Sequence, residues 1–172
     1  MSGSLRYYPL RKKDLNKLKE LIREKFPGLS KLVEECKVGY KVVSEGVTVI
    51  AFSDLPVLAY VDSDMIPTLV AVKLSGIDCL PHAVVDEGAV KHLLNGADVM
   101  APGIVEVTEF HMGDVVSVWN PNKSAPLVVG KALMPSSEIM TKRRGRAIEN
   151  LHYAGDKIWK LSLQFIQQVR SK

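Results

Sequence analysis

Few residues of this chain could carry chemistry. Cys79 and His82 stand at Cys-x-x-His spacing in Cys79-Leu80-Pro81-His82. That spacing would suit half of a structural zinc site, which needs about four ligands. Only Cys36, His92, His111 and His152 remain to complete it, all distant in sequence, so no metal is expected. Asp62 and Asp64 open like a calcium loop. However, Ile66 and Pro67 fill the next ligand and glycine positions, and Lys73 stands where the bidentate glutamate belongs. A cysteine paired with a histidine would make a nucleophile, yet both cysteines lie among apolar residues with no flanking motif. The sequence contains no glycine-x-serine-x-glycine elbow, Walker loop or dinucleotide fingerprint. The four histidines read as packed or surface residues. No catalytic residue, no metal and no cofactor is expected, and the chain is read as a non-enzyme.

What remains is chemistry done by the backbone. In "HLLNGADVMAPGI" (92–104) an apolar helical stretch runs into Asn95-Gly96, and Pro102-Gly103 breaks what otherwise reads as a strand. Two readings stand. Gly96 could end a helix in the left-handed region, which glycine enters without penalty, and Pro102 could protect a strand edge. Alternatively the chain is bared here for a ligand. Nearby in composition, though not in sequence, "TKRRGR" (141–146) holds four basic residues in six, either a solvated turn or a basic rim.

The bulk numbers bound the answer. The 172 residues suit one ordinary domain or two small ones. At 47% apolar and 24% charged, the composition is that of a globular protein with a real core. No apolar run approaches the roughly 20 residues of a membrane span, and "MSGSLRYYPLRKKD" has no apolar signal core. Two cysteines make no disulfide framework. These features point to a cytoplasmic protein. A net charge of +4 permits a nucleic-acid partner without requiring one. At 6% aromatic, stacking platforms for unpaired bases look scarce.

Periodicity supplies the elements. Leu15, Leu18, Leu21, Ile22 and Phe26 form one stripe of a helix capped by Asp14 and ended by Pro27-Gly28. Ser30 is a candidate cap for a second, shorter helix. "YKVVS", "VTVIAFS" and "LPVLAYVD" read as an antiparallel meander. Residues 66–76 read as a helix with Pro67 in its first turn. Further on, "HAVV" is a strand and Asp86 caps a helix carrying Ala89, Val90, Leu93 and Leu94. Three strands follow ("IVEVTEF", "DVVSVWN", "APLVVGKALM"), then helical turns at "SSEIMTK" capped by Ser136 or Ser137. "RAIENLHY" and "KIWKL" read as a hairpin, with the tail 162–172 either a helix or a further strand. Many short strands suggest a small closed barrel with Trp119 and Trp159 in its core. The fold class is α+β: residues 1–78 a small mixed antiparallel domain, residues 79–172 a barrel with a C-terminal extension.

The stretch 80–107 resembles the start of a PUA domain, a small pseudo-barrel of RNA-binding proteins. The features are the strand before Asp86, Gly88-Ala89 opening the helix, Gly96-Ala97 after it and Pro102-Gly103 beyond. "LVVGKALM" and "GRAIENLHYAGDKIW" continue the match. "PTL", "LPH", "VDEGAVKHLLNGADVMAPG", "AIENLHYAGDKIW" and "FPG" resemble the malignant T-cell-amplified sequence proteins, with an archaeal look. The resemblance implies a pre-PUA domain followed by a PUA domain. It also implies a non-catalytic RNA-binding role in translation: contact with tRNA or rRNA on the small ribosomal subunit during initiation or recycling, with a separate initiation-factor-like protein as a possible partner. It further implies RNA contact at Gly88, Lys91, Gly96, Ala97, Met100, Pro102, Gly103, Arg143 and Arg144. Small side chains at Gly96 and Ala97 would let freed N–H groups face phosphates. Two other roles stay open: an accessory factor for tRNA or rRNA modification, and a protein-interaction adaptor that keeps only the fold.

Overall fold

The structure, a computed structural model, describes residues 4–172. The chain divides into two compact units, one built from residues up to Ser75 together with Gly155–Lys172, the other from Gly76–Ala154. The expected boundary after residue 78 lies close to this division. The tail does not follow the expectation, because it belongs with the first unit.

In the first unit β1 (Arg6–Pro9) leads into α1 (Lys12–Lys25) and the short α2 (Ser30–Val33). The meander follows as β2 (Gly39–Ser44), β3 (Val47–Phe52), β4 (Leu55–Val61) and β5 (Asp64–Pro67), then α3 (Leu69–Ser75). The sheet is antiparallel in the order β1-β2-β3-β4-β5. Glu45 and Gly46 both have positive φ, which gives β2 and β3 the two-residue turn that matches strand twist. Three local expectations change. Arg11, not Asp14, precedes α1, and it pairs with Asp14 at 3.2 Å. The Ser30 hydroxyl caps nothing and is buried without a partner. Ile66 and Pro67 end an edge strand, where a missing N–H is tolerated. The helix that follows is held instead by Thr68, whose Oγ1 accepts the Ala71 N–H at 3.2 Å and donates to the Pro56 carbonyl at 2.8 Å.

The second unit runs β6 (His82–Val85), α4 (Glu87–Leu93), β7 (Val99–Met100), β8 (Ile104–Val107), β9 (Val115–Trp119), β10 (Pro126–Ala132), α5 (Ser136–Lys142) and β11 (Arg146–Tyr153). Its sheet has the order β7-β11-β10-β9-β6-β8, with β6 and β9 parallel. The two edge strands, β7 and β8, are consecutive in the chain and joined by one 3-10 turn, Ala101–Gly103, so the sheet nearly closes on itself. Inside are Val85, Leu93, Val99, Ile104, Val116, Val118, Val128 and Ile148. Gly130 sits where β10 crosses β11 at a register shift. A Cβ there would lie 2.3 Å from the Glu149 carbonyl, so only glycine fits. Neither Ser136 nor Ser137 caps α5, which starts after Pro135. The Ser136 hydroxyl is turned inward, accepting the Phe110 N–H at 3.0 Å.

The last element is α6 (Lys157–Arg170), where a hairpin strand was expected at "KIWKL". Asp156 accepts the Trp159 N–H at 2.9 Å and caps it. Ile158, Leu161, Ser162 and Phe165 are its buried stripe, a period that a strand cannot satisfy. Trp159 is therefore on this helix and not in the barrel, whereas Trp119 is buried in β9. The helix packs on β2, β3 and β4, with Phe165 edge-on to Tyr7 at 5.5 Å between centroids and tilted against Tyr40 at 6.1 Å. Phe165 is fully buried. Phe165→Ala should therefore destabilise the protein by about 3–5 kcal/mol in denaturant unfolding, and a change below 1 kcal/mol would mean the helix is not part of that core.

Candidate nucleic-acid interface

The stretch 92–104 takes its shape from how α4 ends. Asp86 caps the start by accepting the Ala89 N–H at 3.0 Å. At the other end the Gly96 N–H bonds the Leu93 carbonyl at 3.0 Å, and the Ala97 N–H reaches back to the His92 carbonyl at 3.1 Å. With Gly96 at φ +94°, this pair of bonds is a Schellman cap. The Asn95 N–H is used as well, on the His92 carbonyl. The expectation of freed amides at Gly96 and Ala97 therefore fails, since the helix end consumes them. What this loop offers a ligand is close approach and side chains: exposed Asn95 and Ala97, with Lys91 exposed one turn earlier.

β11 holds this loop from the side. Asn150 donates from Nδ2 to the Ala97 carbonyl at 2.9 Å and to the Leu93 carbonyl at 3.2 Å. Asp98 accepts the Asn150 N–H at 2.8 Å and the Arg146 Nε at 2.9 Å, with Arg146 Nη2 on the same oxygen. Burial works to raise the Asp98 pKa. The Asn150 N–H and the Arg146 guanidinium outweigh it and hold the carboxyl below the usual range. Neither Asp98 nor Asn150 stood out in the sequence, because each acts through a partner about 50 residues away.

The basic segment lands against the same edge. Arg146 pairs with Met100 across β7 and β11, and the Ala101 N–H bonds the Gly145 carbonyl at 2.9 Å. Arg143 ends α5 in the left-handed region at φ +55°. From there its Nη1 donates to the Ile104 carbonyl at 2.6 Å and its Nη2 reaches the Pro102 carbonyl at 3.4 Å. Pro102 and Gly103 thus form the turn between two edge strands. Gly103 faces α4: its carbonyl accepts the Asp86 N–H at 2.9 Å, and a Cβ on it would meet the Ala89 Cβ at 3.3 Å. Gly88 is exposed in the first turn of α4. The expected residues therefore split. Met100, Pro102, Gly103 and Arg143 meet at one edge, Gly96 and Ala97 are bolted beside it through β11, and Gly88 and Lys91 sit on α4. Arg144 is exposed, with no ion pair or hydrogen bond among the described residues.

Burial pushes the Cys79 thiol up to about 11, away from the low range of reactive cysteines. Cys36 and Cys79 are both free. No group of three His, Cys, Asp or Glu that could hold a metal occurs among the described residues. His82 and His152 are buried, while His92 and His111 are exposed.

Comparison with known proteins fits this geometry. The PUA domain model matches residues 81–154, nearly the whole second unit. An uncharacterized protein of Methanocaldococcus jannaschii is 39% identical over 153 residues, 88% of this chain and 94% of its own. Translation machinery-associated protein 20 of Schizosaccharomyces pombe is 31% identical over 86% of this chain and 81% of its own. Human malignant T-cell-amplified sequence 2 is 36% identical over 84 residues, 46% of each chain. The chain belongs to this family of PUA-domain proteins. The fold agrees: the crystal structure of a PUA-domain protein from Aeropyrum pernix K1, a tartrate complex, superposes with a TM-score of 0.81 at 29% identity, covering 95% of this chain and 94% of that one. Among the described residues no helix is long and apolar enough to cross a membrane.

Three substitutions test this geometry. Arg143→Ala should cost about 1–2 kcal/mol, because it frees two carbonyls at the closing turn. Arg144→Ala should stay within about 0.5 kcal/mol. For Asp98 the folded pKa lies below the unfolded one, near 3.9. Its ionisation stabilises the fold above that value, and the contribution is lost as pH falls through the folded pKa. Stability of Asp98→Asn, followed by denaturant titration from about pH 5 downward, should fall less steeply than that of the wild type.

Proposed function

We propose that the second unit grips RNA at the edge formed by the α4 end, the Ala101–Gly103 turn and the basic segment 142–146, and that the protein serves translation as a non-catalytic binder. The single observation that carries this reading is the pairing of β7 with β11. It sets Arg146 opposite Met100, and Arg143 beside it donates to the carbonyls of Pro102 and Ile104, so the basic segment lies against the small-residue turn. The names of the relatives support the translation role, and the PUA match supports RNA as the ligand. On this reading the ligand is a structured RNA, tRNA or rRNA on the small ribosomal subunit, and an initiation-factor-like protein acts alongside.

Within the edge the roles divide by what each side chain already holds. Arg143 is committed to two carbonyls and Arg146 to Asp98, so they shape the edge and add only a diffuse positive field. Lys142 is paired with Glu138. Arg144 and Lys91 have no partner among the described residues, and they take phosphates. Gly96, Ala97, Pro102 and Gly103 keep the surface low enough for an RNA backbone to approach. Met100, about half exposed, lies between them as an apolar contact for a base or ribose.

The test is binding of a tRNA acceptor-stem hairpin as a function of salt. Each phosphate contact adds about 0.9 to the slope of log K against log salt, taking the duplex value. Lys91→Glu with Arg144→Glu should weaken binding to all stem sequences alike and flatten the slope by roughly two units, without loss of stability. Unchanged affinity and slope would remove RNA from this edge. Sedimentation of the full chain with small ribosomal subunits, reduced in the same pair, checks the translation role.

A further inference from the structure

The positive charge of this protein is not where its basic motif is. Residues 76–154 carry seven Lys and Arg against nine Asp and Glu, a deficit, even though four of the seven lie in 142–146. Residues 1–41 carry eleven against five. The excess therefore lies in the other unit, most of it on β1, α1, α2 and the start of β2, with four basic residues against one acidic in 155–172.

The sheet of that unit has one covered face and one partly open face. Opposed residues in an antiparallel pair point the same way, and neighbours along a strand alternate. Tyr7 and Tyr40 point to the face that α6 covers, where both contact Phe165. The alternate residues point the other way. Arg6 opposes Val43 and Tyr8 opposes Lys41. Val43 opposes Thr48. Thr48 precedes Val49, which opposes Ala59, so Tyr60 shares the face of Thr48, and it opposes Met65. α1 covers the end of this face near Gly39, where a Cβ would lie 2.7 Å from Leu15 Cδ1. At the other end Tyr8 is 50% and Tyr60 43% exposed, and Arg6 and Lys41 are exposed too. None of these four has a hydrogen bond or an ion pair among the described residues.

We infer that this open end of the first sheet binds an unpaired RNA segment, with Tyr8 and Tyr60 stacking bases and Arg6 and Lys41 taking phosphates. Two half-exposed tyrosines on one face of a sheet offer rings for stacking, and every base offers a π-face to stack on them. They stand three strand spacings apart and two residues offset along the strand, about 16 Å in all, and sheet-based RNA readers use such aromatics to stack two or three bases. The net charge of the flanking elements selects a polyanion over a neutral or basic peptide. This site is on a different unit from the edge proposed above, and it does not depend on that edge.

The test uses the full chain and two probes, a short unstructured oligouridylate and the acceptor-stem hairpin. Tyr8→Ala and Tyr60→Ala should each weaken oligouridylate binding about tenfold or more, with the hairpin affinity and the melting temperature unchanged. The two Phe variants should restore binding, because stacking needs the ring and not the hydroxyl. Arg6→Glu with Lys41→Glu should lower the salt slope for the single strand by about 1.4, at ~0.7 per phosphate. Wild-type oligouridylate affinity in the double alanine variant would overturn the proposal. The same result together with lost binding of a glutamate-rich peptide would overturn it in favour of a protein partner. Failure of the Lys91 and Arg144 variants to affect the hairpin would leave this outcome untouched, so the two sites stand or fall separately.

Discussion

The second unit depends on how its sheet closes. A six-stranded sheet with two free edges is open to pairing with other chains. Here the two edges are consecutive strands, and one 3-10 turn joins them. At the seam Arg143, from a left-handed position at the end of α5, donates to the carbonyls of Pro102 and Ile104. The cost of that backbone conformation, about 1–2 kcal/mol for a non-glycine residue, is of the size that the two guanidinium bonds together contribute. The same seam carries the α4 cap, the Asp98–Arg146 pair and the Asn150 clasp. The most built part of the unit thus also holds four of its seven basic residues, and the proposed binding surface is placed there.

Much of this fold was legible in the sequence where a local signal and a tertiary demand agree. Asp86 caps α4, Gly96 turns left-handed after it, and the meander 39–61 follows its β-branched runs. The errors share one cause. A serine or aspartate before an apolar run is a capping signal only if its side chain is free to turn back. Ser136 is drawn inward by Phe110, and Asp14 lies inside the first turn with Arg11 beside it. "KIWKL" is too short to show its period. Only with Ser162 and Phe165 included does the helical stripe appear, and its partner surface, Tyr7 and Tyr40, lies more than 100 residues earlier. Contacts of that separation leave no trace in a local window.

The candidate interface was legible by type more than by role. Met100, Pro102, Gly103 and Arg143 come together at one edge, whereas Gly88 and Lys91 sit on α4 and Arg144 makes no hydrogen bond or ion pair among the described residues, and the parts played differ from expectation. The Gly96 and Ala97 amides cap a helix, and Arg143 holds carbonyls. Asn150 and Asp98 were missed because an asparagine in a strand and an aspartate after a helix signal nothing until β11 is laid beside the α4 end. The charge misled in the same way. Four basic residues in six are conspicuous as text, whereas eleven spread over 41 are not, and the second set decides the sign of a whole unit. Low aromatic content argued against a stacking surface, but what matters is whether two tyrosines reach one open face, and register alone decides that.

The central claim is that RNA lies on the β7–β8 seam of the second unit. The most direct measurement is a photo-crosslinking map of the full chain bound to cellular RNA, read by mass spectrometry of nucleotide-bearing peptides. The account predicts crosslinks at Lys91, in the 95–103 loop with Met100 the most reactive, and at Arg144. A map with no adduct between residues 86 and 146, from a protein that still binds RNA, would contradict it.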